Sequence, residues 1–259
     1  MTKRQKLRET PKAYSDHSVK LERIHTMDNP QGNLSQAMLL GAKAMAYSVG
    51  AIFGDGTIGM YSLKSEATMY TVSIRCMDYE CVKRVRDEVN SFFDEHHSIY
   101  TYTNPNGTVM YGVTFHSVHV YAIFHYFVKE KLFIPDEMFR VDRDSQLDFV
   151  AGLFDTDGYA SAGVRYRVGF ASRHRTFVED LVRLLSKLGV QVGTIYSQVS
   201  QYGTTMYVIK PNILSFIKAG CYFYIPRKFN KLAGYGSIVK QYAGDKTFRD
   251  YNAEPITIG

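Results

Sequence analysis

Tryptophan is absent from this chain, cysteine occurs only three times in 259 residues, and no apolar run is long enough to cross a bilayer. The last of these excludes an ordinary transmembrane helix, which takes about 20 consecutive apolar residues. Cys76, Cys81 and Cys221 form no CxxC pair and no zinc-finger spacing, which argues against a metal knuckle or a disulfide framework. They read as buried, free thiols of a reducing compartment. The stretch MTKRQKLRETPK is basic but has no apolar core, so it does not read as a signal peptide. An intracellular protein is expected. What is present is a chain with 45% hydrophobic residues, enough to build a core and too many for a disordered segment. Its net charge of +6 hints at a polyanionic partner, a hint that needs support from where the charges lie.

Residues 1–34 are polar without sustained periodicity and read as a basic arm. Residues 35–54 are apolar and rich in small side chains, the length of one buried helix, with Gly56 placed to cap its end. In 69–76, Tyr70, Val72, Ile74 and Cys76 alternate with Thr71, Ser73 and Arg75, as in a half-buried strand. Residues 78–93 carry Val82, Val85, Val89 and Phe92 at helical spacing. Strands are expected near 98–103 and 108–116 around the turn-like NPNG, then a helix over 118–130. The pattern then restarts. A helix over 144–158 ends in Asp-Gly, a strand over 164–170 carries Arg165 and Arg167 on its polar side, and an amphipathic helix covers 174–189. Strands near 191–198 and 204–210 and a short helix over 211–219 complete it.

The order helix, two strands, helix, two strands, helix thus occurs twice. Residues 50–56 pair with 152–158, and Phe133-Ile134-Pro135 pairs with Tyr224-Ile225-Pro226. Asp55 and Asp157 stand 102 residues apart, a period that marks a duplicated domain and not a solenoid. The division is an arm (1–34), a first repeat (35–131), a linker (132–143), a second repeat (144–236) and a tail (237–259).

Asp55 and Asp157 each fall in the last turn of a helix, just before glycine. A carboxylate there faces the negative end of the helix dipole, a cost that a nearby cation would reverse. Free carbonyls at the same helix end add hard oxygen ligands, so two such ends together would suit magnesium or calcium. Ala46, Gly50 and Gly54 share one helix face, and Gly152 and Thr156 share the equivalent one, so small residues would let the two helices approach closely.

SVGAIFGDG (48–56) and VAGLFDTDG (150–158) resemble the motif of the LAGLIDADG homing endonucleases. The first copy is degenerate, keeping both glycines and the closing Asp-Gly. FASRHRTFVEDLVRLLSKLGV (170–190) and LFIPDEMFRVDRDSQLDFVAGLFDTDG (132–158) resemble the same family, and the resemblance runs over roughly residues 35–235. It implies an α+β fold of pseudo-twofold duplicated αββαββα units, whose antiparallel sheets form a saddle straddling double-stranded DNA. It implies a monomer that hydrolyses each strand across the minor groove to leave short 3′ overhangs. Asp55 and Asp157 match the metal-binding position, with the carbonyls of Gly54 and Thr156 completing the sphere. Mg2+ is the implied cofactor, activating water and stabilising the phosphorane and leaving oxygen, with Ca2+ expected to bind without supporting cleavage. A polar residue at the end of the second strand matches Arg173 in the second repeat and either Met77 or Arg75 in the first. A basic residue after the last helix matches Arg227 or Lys228, with Lys129 or Lys131 nearest in the first repeat. Solvated surface charge is an equal reading for each of these. DNA reading is expected from Thr71, Ser73, Arg75, Thr114, His116, Arg165, Arg167, Ser197 and Gln198, with phosphate contacts making binding steeply salt-dependent.

Other motifs fit worse. DTDG (155–158) places its glycine too early for an EF-hand and lacks a closing glutamate. His96-His97 has no matching downstream Asn and His. His116, His119 and His125 have no cysteine partners for zinc. GDGTIG is too short for a phosphate loop. The rival functions are a non-cleaving RNA maturase of the same fold, an intein and a transcription regulator. The opening Met, the closing ITIG and the lack of flanking splicing residues run against the intein, and no obvious helix-turn-helix supports the regulator.

Overall fold

The computed structural model describes residues 30–62, 68–128, 131–162 and 166–243. The described residues fall into two units, divided between Leu40 and Gly41. The first is described only along part of α1 (Pro30–Ala44). In the second, α2 (Ala46–Asp55) leads into β1 (Gly56–Ser62) and β2 (Thr68–Cys76), α3 (Tyr79–Phe93), β3 (Tyr100–Thr103), β4 (Val109–Phe115) and α4 (Val118–Val128). After α5 (Asp136–Arg140), the same order returns as α6 (Arg143–Thr156), β5 (Gly158–Ser161), β6 (Arg167–Ser172), α7 (Arg175–Lys187), β7 (Tyr196–Val199), β8 (Thr205–Ile209) and α8 (Ile213–Lys218). A further helix, α9 (Pro226–Ala243), follows. The fold is α+β, with two antiparallel four-stranded sheets ordered β1-β2-β4-β3 and β5-β6-β8-β7.

Periodicity explains most of these elements. Val82, Val85 and Val89 place one apolar stripe of α3 in the core, and Phe177, Val178, Leu181, Leu184 and Leu185 do the same for α7. Val72, Ile74 and Cys76 are buried on one face of β2 while Arg75 is exposed on the other. The two motif helices are buried nearly all round, from Ala46 to Phe53 and from Phe149 to Asp155, because each packs against the other as well as against its own sheet. Phe154, Phe170, Phe216 and Phe223 pack, tilted and edge-on, into one aromatic cluster in the second repeat. Each such ring contributes roughly 1.5–3 kcal/mol on burial. The three cysteines are free and buried, as expected.

Several expectations need correction. The apolar run 35–54 is two helices, since Met45 leaves helical geometry at φ −123° and ψ 30°. A run that is apolar all round gives no periodicity from which to locate such a break. Gly56 does not adopt the left-handed cap conformation. Its φ and ψ of −79° and 153° are extended, and glycine is needed because a Cβ would stand 2.5 Å from Ile52 Cα and O. Gly158 has the same need against Phe154, at 2.7 Å. The strand expected over 164–170 lies at 167–172, and that over 191–198 shrinks to 196–199, with Val192 making only an isolated bridge to Pro211. The linker contains α5, and α9 extends to Ala243, into the expected tail. Neither α5 nor α9 is among the elements that the sequence pattern predicts.

Candidate functional site

The motif helices α2 and α6 meet through their glycines. A Cβ on Gly50 would stand 2.2 Å from Phe149 O, and one on Gly152 would stand 2.2 Å from Tyr47 O. Neither contact has room for any other residue type. One turn on, a Cβ on Gly54 would stand 2.0 Å from Thr156 Oγ1 and 3.3 Å from Asp157 Cγ. The small-residue face read from the sequence is therefore the contact face, and it carries the two helix ends to one place.

Asp55 and Asp157 meet there. Burial, and secondarily the charge of Asp55, pushes the Asp157 carboxyl up to about 6. Burial likewise raises Asp55, against the pull of Lys228 and Lys131. Two carboxylates crowded at the negative ends of two helices, their residues still open to solvent, form an environment that disfavours both charges. The donors present are carboxylate and carbonyl oxygens, the ligand set of a hard divalent cation.

Two lysines close the helix ends. Lys131 Nζ donates to Gly54 O at 2.8 Å and Gly56 O at 3.1 Å. Lys228 Nζ donates to Phe154 O, Asp155 O, Thr156 O and Gly158 O at 2.8, 2.7, 3.4 and 2.5 Å. Lys228 is almost fully buried, and burial depresses the pKa of both ammonium groups. The carbonyls of Gly54 and Thr156 thus already accept from an ammonium, leaving each one further acceptor site. Arg227, the alternative to Lys228, points elsewhere. Its guanidinium grips Asp78 with bonds of 3.0 and 2.8 Å, so it is a paired cation. Lys129 lies outside the described residues.

Strand pairing settles the alternatives at the end of the second strand. Gly56 pairs with Ile74 and Gly158 with Phe170, so Arg173 is the counterpart of Met77, and Arg75 that of Ala171. The first repeat therefore places an exposed thioether where the second has a guanidinium. Arg173 lies near enough to Lys131 to depress its pKa further.

The repeats also differ at Phe53 and Asp155. Asp155 is buried, and its Oδ2 accepts from Tyr47 Oη, Tyr224 N and Ile225 N, while Oδ1 has no protein partner among the described residues. Phe53 stacks on Phe177, and Asp180 of α7 supplies the carboxylate that accepts from Ile134 N. Asp180 thus serves Ile134 N as Asp155 serves Ile225 N, from a different helix.

The expected DNA-reading residues divide by face. Ser73, Arg75 and Thr114 share the outer face of the first sheet. Thr71 is on that face but is buried, its hydroxyl donating to Gly59 O, so it is not free to read a base. His116 is exposed just past β4, its pKa lowered by partial burial and by His97. On the second sheet, Arg167 and Gln198 face outward. Ser197 pairs with Tyr207, which pairs in turn with Ser172, in the alternation that carries Phe170 inward, so it is on the wrong face. Arg165 lies outside the described residues. Two neighbours of Arg75 are not apparent from the sequence: Tyr100, whose Oη accepts from Arg75 Nε at 2.9 Å, and Tyr102, whose ring centre is 5.9 Å from the guanidinium carbon. Sequence alternation alone cannot align β3 with β2 across β4.

Residues 144–220 match the model of the LAGLIDADG-like domain. Over 201 residues the chain is 26% identical to ribonucleoside-diphosphate reductase NrdEB subunit alpha of Bacillus subtilis (strain 168), and equally to the corresponding protein of Bacillus phage SPbeta. The alignment takes in 64% of this chain and spans only 17% of the length of each of those relatives. Among solved structures, the complex of I-DmoI with DNA and Ca gives a TM-score of 0.55 at 16% identity, covering 76% of this chain and 98% of that one. The complex of I-DmoI with DNA and Mn gives 0.54 at 19%, covering 69% and 96%. A variant of I-DmoI with its target DNA and Mg gives 0.54 at 18%, again covering 69% and 96%. Residues 144–220 are thus similar to a LAGLIDADG-like domain, and the chain as a whole shares the fold of these I-DmoI structures.

Proposed function

We propose that the chain is a site-specific endonuclease that hydrolyses both strands of a long DNA duplex with divalent metal ions, acting as a monomer. The observation that carries this is the meeting of Asp55 and Asp157 at the paired ends of α2 and α6, where each carboxyl is held above its ordinary pKa. The two carboxylates, with the carbonyls of Gly54 and Thr156, would hold the ions. Magnesium so held supplies a water of lowered pKa and positive charge for the reacting phosphate. Lys131 and Lys228 hold the backbone at both helix ends and place two ammonium groups beside the carboxylates, where incoming phosphates would need them. Arg173 adds a cation on the side of the second motif. The outer faces of the two sheets, with Ser73, Arg75, Thr114, Arg167 and Gln198, would form a saddle against the major groove. Related structures were solved with DNA and with Mn, Mg or Ca, which supports both the substrate class and the ion class.

The test is incubation with Mg2+ and a library of long random duplexes, followed by sequencing of the new ends, with Asp157→Asn in parallel. Discrete double-strand ends with the wild type, lost in the variant, support the reading. No cleavage by either protein, together with tight binding of structured RNA, replaces it with the maturase reading.

A further inference from the structure

On the outer face of the first sheet, Arg75 pairs with Gly112 of β4, which pairs in turn with Tyr100, so the three stand in one row. Gly112 leaves the row open. A Cβ there would stand 2.6 Å from the Tyr100 ring, so the ring lies directly over the strand where any other residue would lift it. In that position Tyr100 Oη accepts from Arg75 Nε at 2.9 Å and lies 3.4 Å from Thr114 Oγ1. Tyr102, one step along the same face, places its ring under the guanidinium. Among the described residues no carboxylate pairs with Arg75, although the chain has 25 acidic residues. The guanidinium is exposed and held by uncharged groups at its inner edge. Among the described residues its two terminal nitrogens have no acceptor, which leaves them for one from outside.

We propose that Arg75 reads a single guanine in the major groove and that Tyr100, seated over Gly112, is the positioning residue that makes this reading specific. The inference rests on the DNA-binding role proposed above. Guanine presents O6 and N7 as adjacent acceptors, which match the forked terminal nitrogens of arginine, and no other base offers that pair in the major groove. A free arginine on a flat sheet would reach neighbouring phosphates equally well. One whose Nε is fixed and whose charge stands 5.9 Å from an aromatic ring centre has fewer such alternatives. Among the described residues the second sheet has no arginine in the matching place, although Lys210 stands over the Tyr196 ring. The equivalent row is Ala171, Val208 and Tyr196, so the guanine belongs to the half-site read by the first repeat.

The experiment is a binding selection in calcium from duplexes randomised across the site. It compares the full-length wild type, Arg75→Ala, Arg75→Lys, Tyr100→Phe and Gly112→Ala, with thermal melts to confirm folding. The wild type is expected to show one position in the first half-site where guanine is favoured by about tenfold to a hundredfold. Arg75→Ala removes that preference and leaves the other positions intact. Tyr100→Phe, which keeps the ring but removes the acceptor of Nε, lowers it several-fold at the same position, and Arg75→Lys and Gly112→Ala weaken it there too. Preferences unchanged in Arg75→Ala or Tyr100→Phe overturn the proposal. So does an even loss at every position, the mark of a phosphate contact. A folded wild type that selects no duplex sequence overturns the endonuclease reading itself, and this inference with it.

Discussion

Tyr47, in the first motif helix, donates its phenol to Asp155 of the second motif at 2.8 Å, so the two repeats are joined by a buried hydrogen bond where their motifs differ. Burial holds Asp155 at about 7, and the Tyr47 bond is what opposes the rise most. Tyr47→Phe removes that donor and pushes the carboxyl higher still. When the acid is protonated the lost bond is a neutral one, and when it is ionised the loss falls on a buried charge. The destabilisation should therefore grow as pH rises through about 7, with roughly 1–3 kcal/mol lost on the alkaline side. Urea melts of both proteins at pH 6 and pH 8.5 measure this, and equal losses at the two values contradict it.

Asp157 gives a second pH dependence. Its folded pKa of about 6 lies above the ordinary carboxylate value of 3.8, so between those limits the folded state keeps a proton that the unfolded state has released. Stability from this group is therefore lost as pH rises from about 4 to about 6, and stays lost above that. Asp157 is open to solvent, so screening discounts the roughly 3 kcal/mol that such a difference would carry in a buried site to about 1 kcal/mol. In a metal chelator, Asp157→Asn should become more stable relative to the wild type by about that amount between pH 4 and pH 7.5. Magnesium should raise the melting temperature of the wild type at pH 7.5 and do so much less for the variant. A stability difference that does not change with pH removes the basis for this prediction.

The two site lysines should differ in what they contribute to folding. Lys228 holds four carbonyls from a buried position, whereas Lys131 holds two and is less enclosed. Methionine matches the length of lysine but leaves those oxygens without a donor. Lys228→Met is expected to cost about 3 kcal/mol or more, and Lys131→Met about 1 kcal/mol. Both should abolish or strongly reduce cleavage. Chemical denaturation ranks the two losses, and an equal or reversed order shows that the carbonyl contacts do not set stability.

Most of this site is legible in the chain because it repeats. Asp55 and Asp157 stand before glycine at matching places, and the glycine spacing along each helix is itself the contact face. What is not legible depends on contacts between distant segments. The bidentate pairing of Arg227 with Asp78 joins residues 149 apart, and neither shows in sequence that it lacks freedom. Thr71 looks like any other polar strand residue until its hydroxyl is found on Gly59 O. Alternation misplaces Ser197 because β7 begins at Tyr196 and is short, and a one-residue error in phase reverses the face. The helix α9 is hidden because PRKFNKLAGYGS mixes proline, glycine and basic residues that usually break or solvate a segment.

The correspondence of Arg173 with Met77 makes the two strands of a bound duplex unequal. At the second motif a guanidinium stands near Lys131, whereas the counterpart position carries a side chain that can neither donate a strong hydrogen bond nor carry charge. Asp78 stands close enough to Asp55 to raise its pKa, adding negative charge on the poorer side. The phosphate served by Arg173 should then react first. A tenfold difference in rate requires only about 1.4 kcal/mol of transition-state stabilisation, less than one charge-assisted contact provides. On a supercoiled plasmid carrying the selected site, a nicked circle should accumulate before the linear form appears. Strand-specific labels should show the same strand cut first in every molecule. Arg173→Met should slow that first cut and shrink the nicked pool, while Met77→Gln should speed the second cut. Equal rates on the two strands of the wild type would mean that neither position orders the reacting water or phosphate.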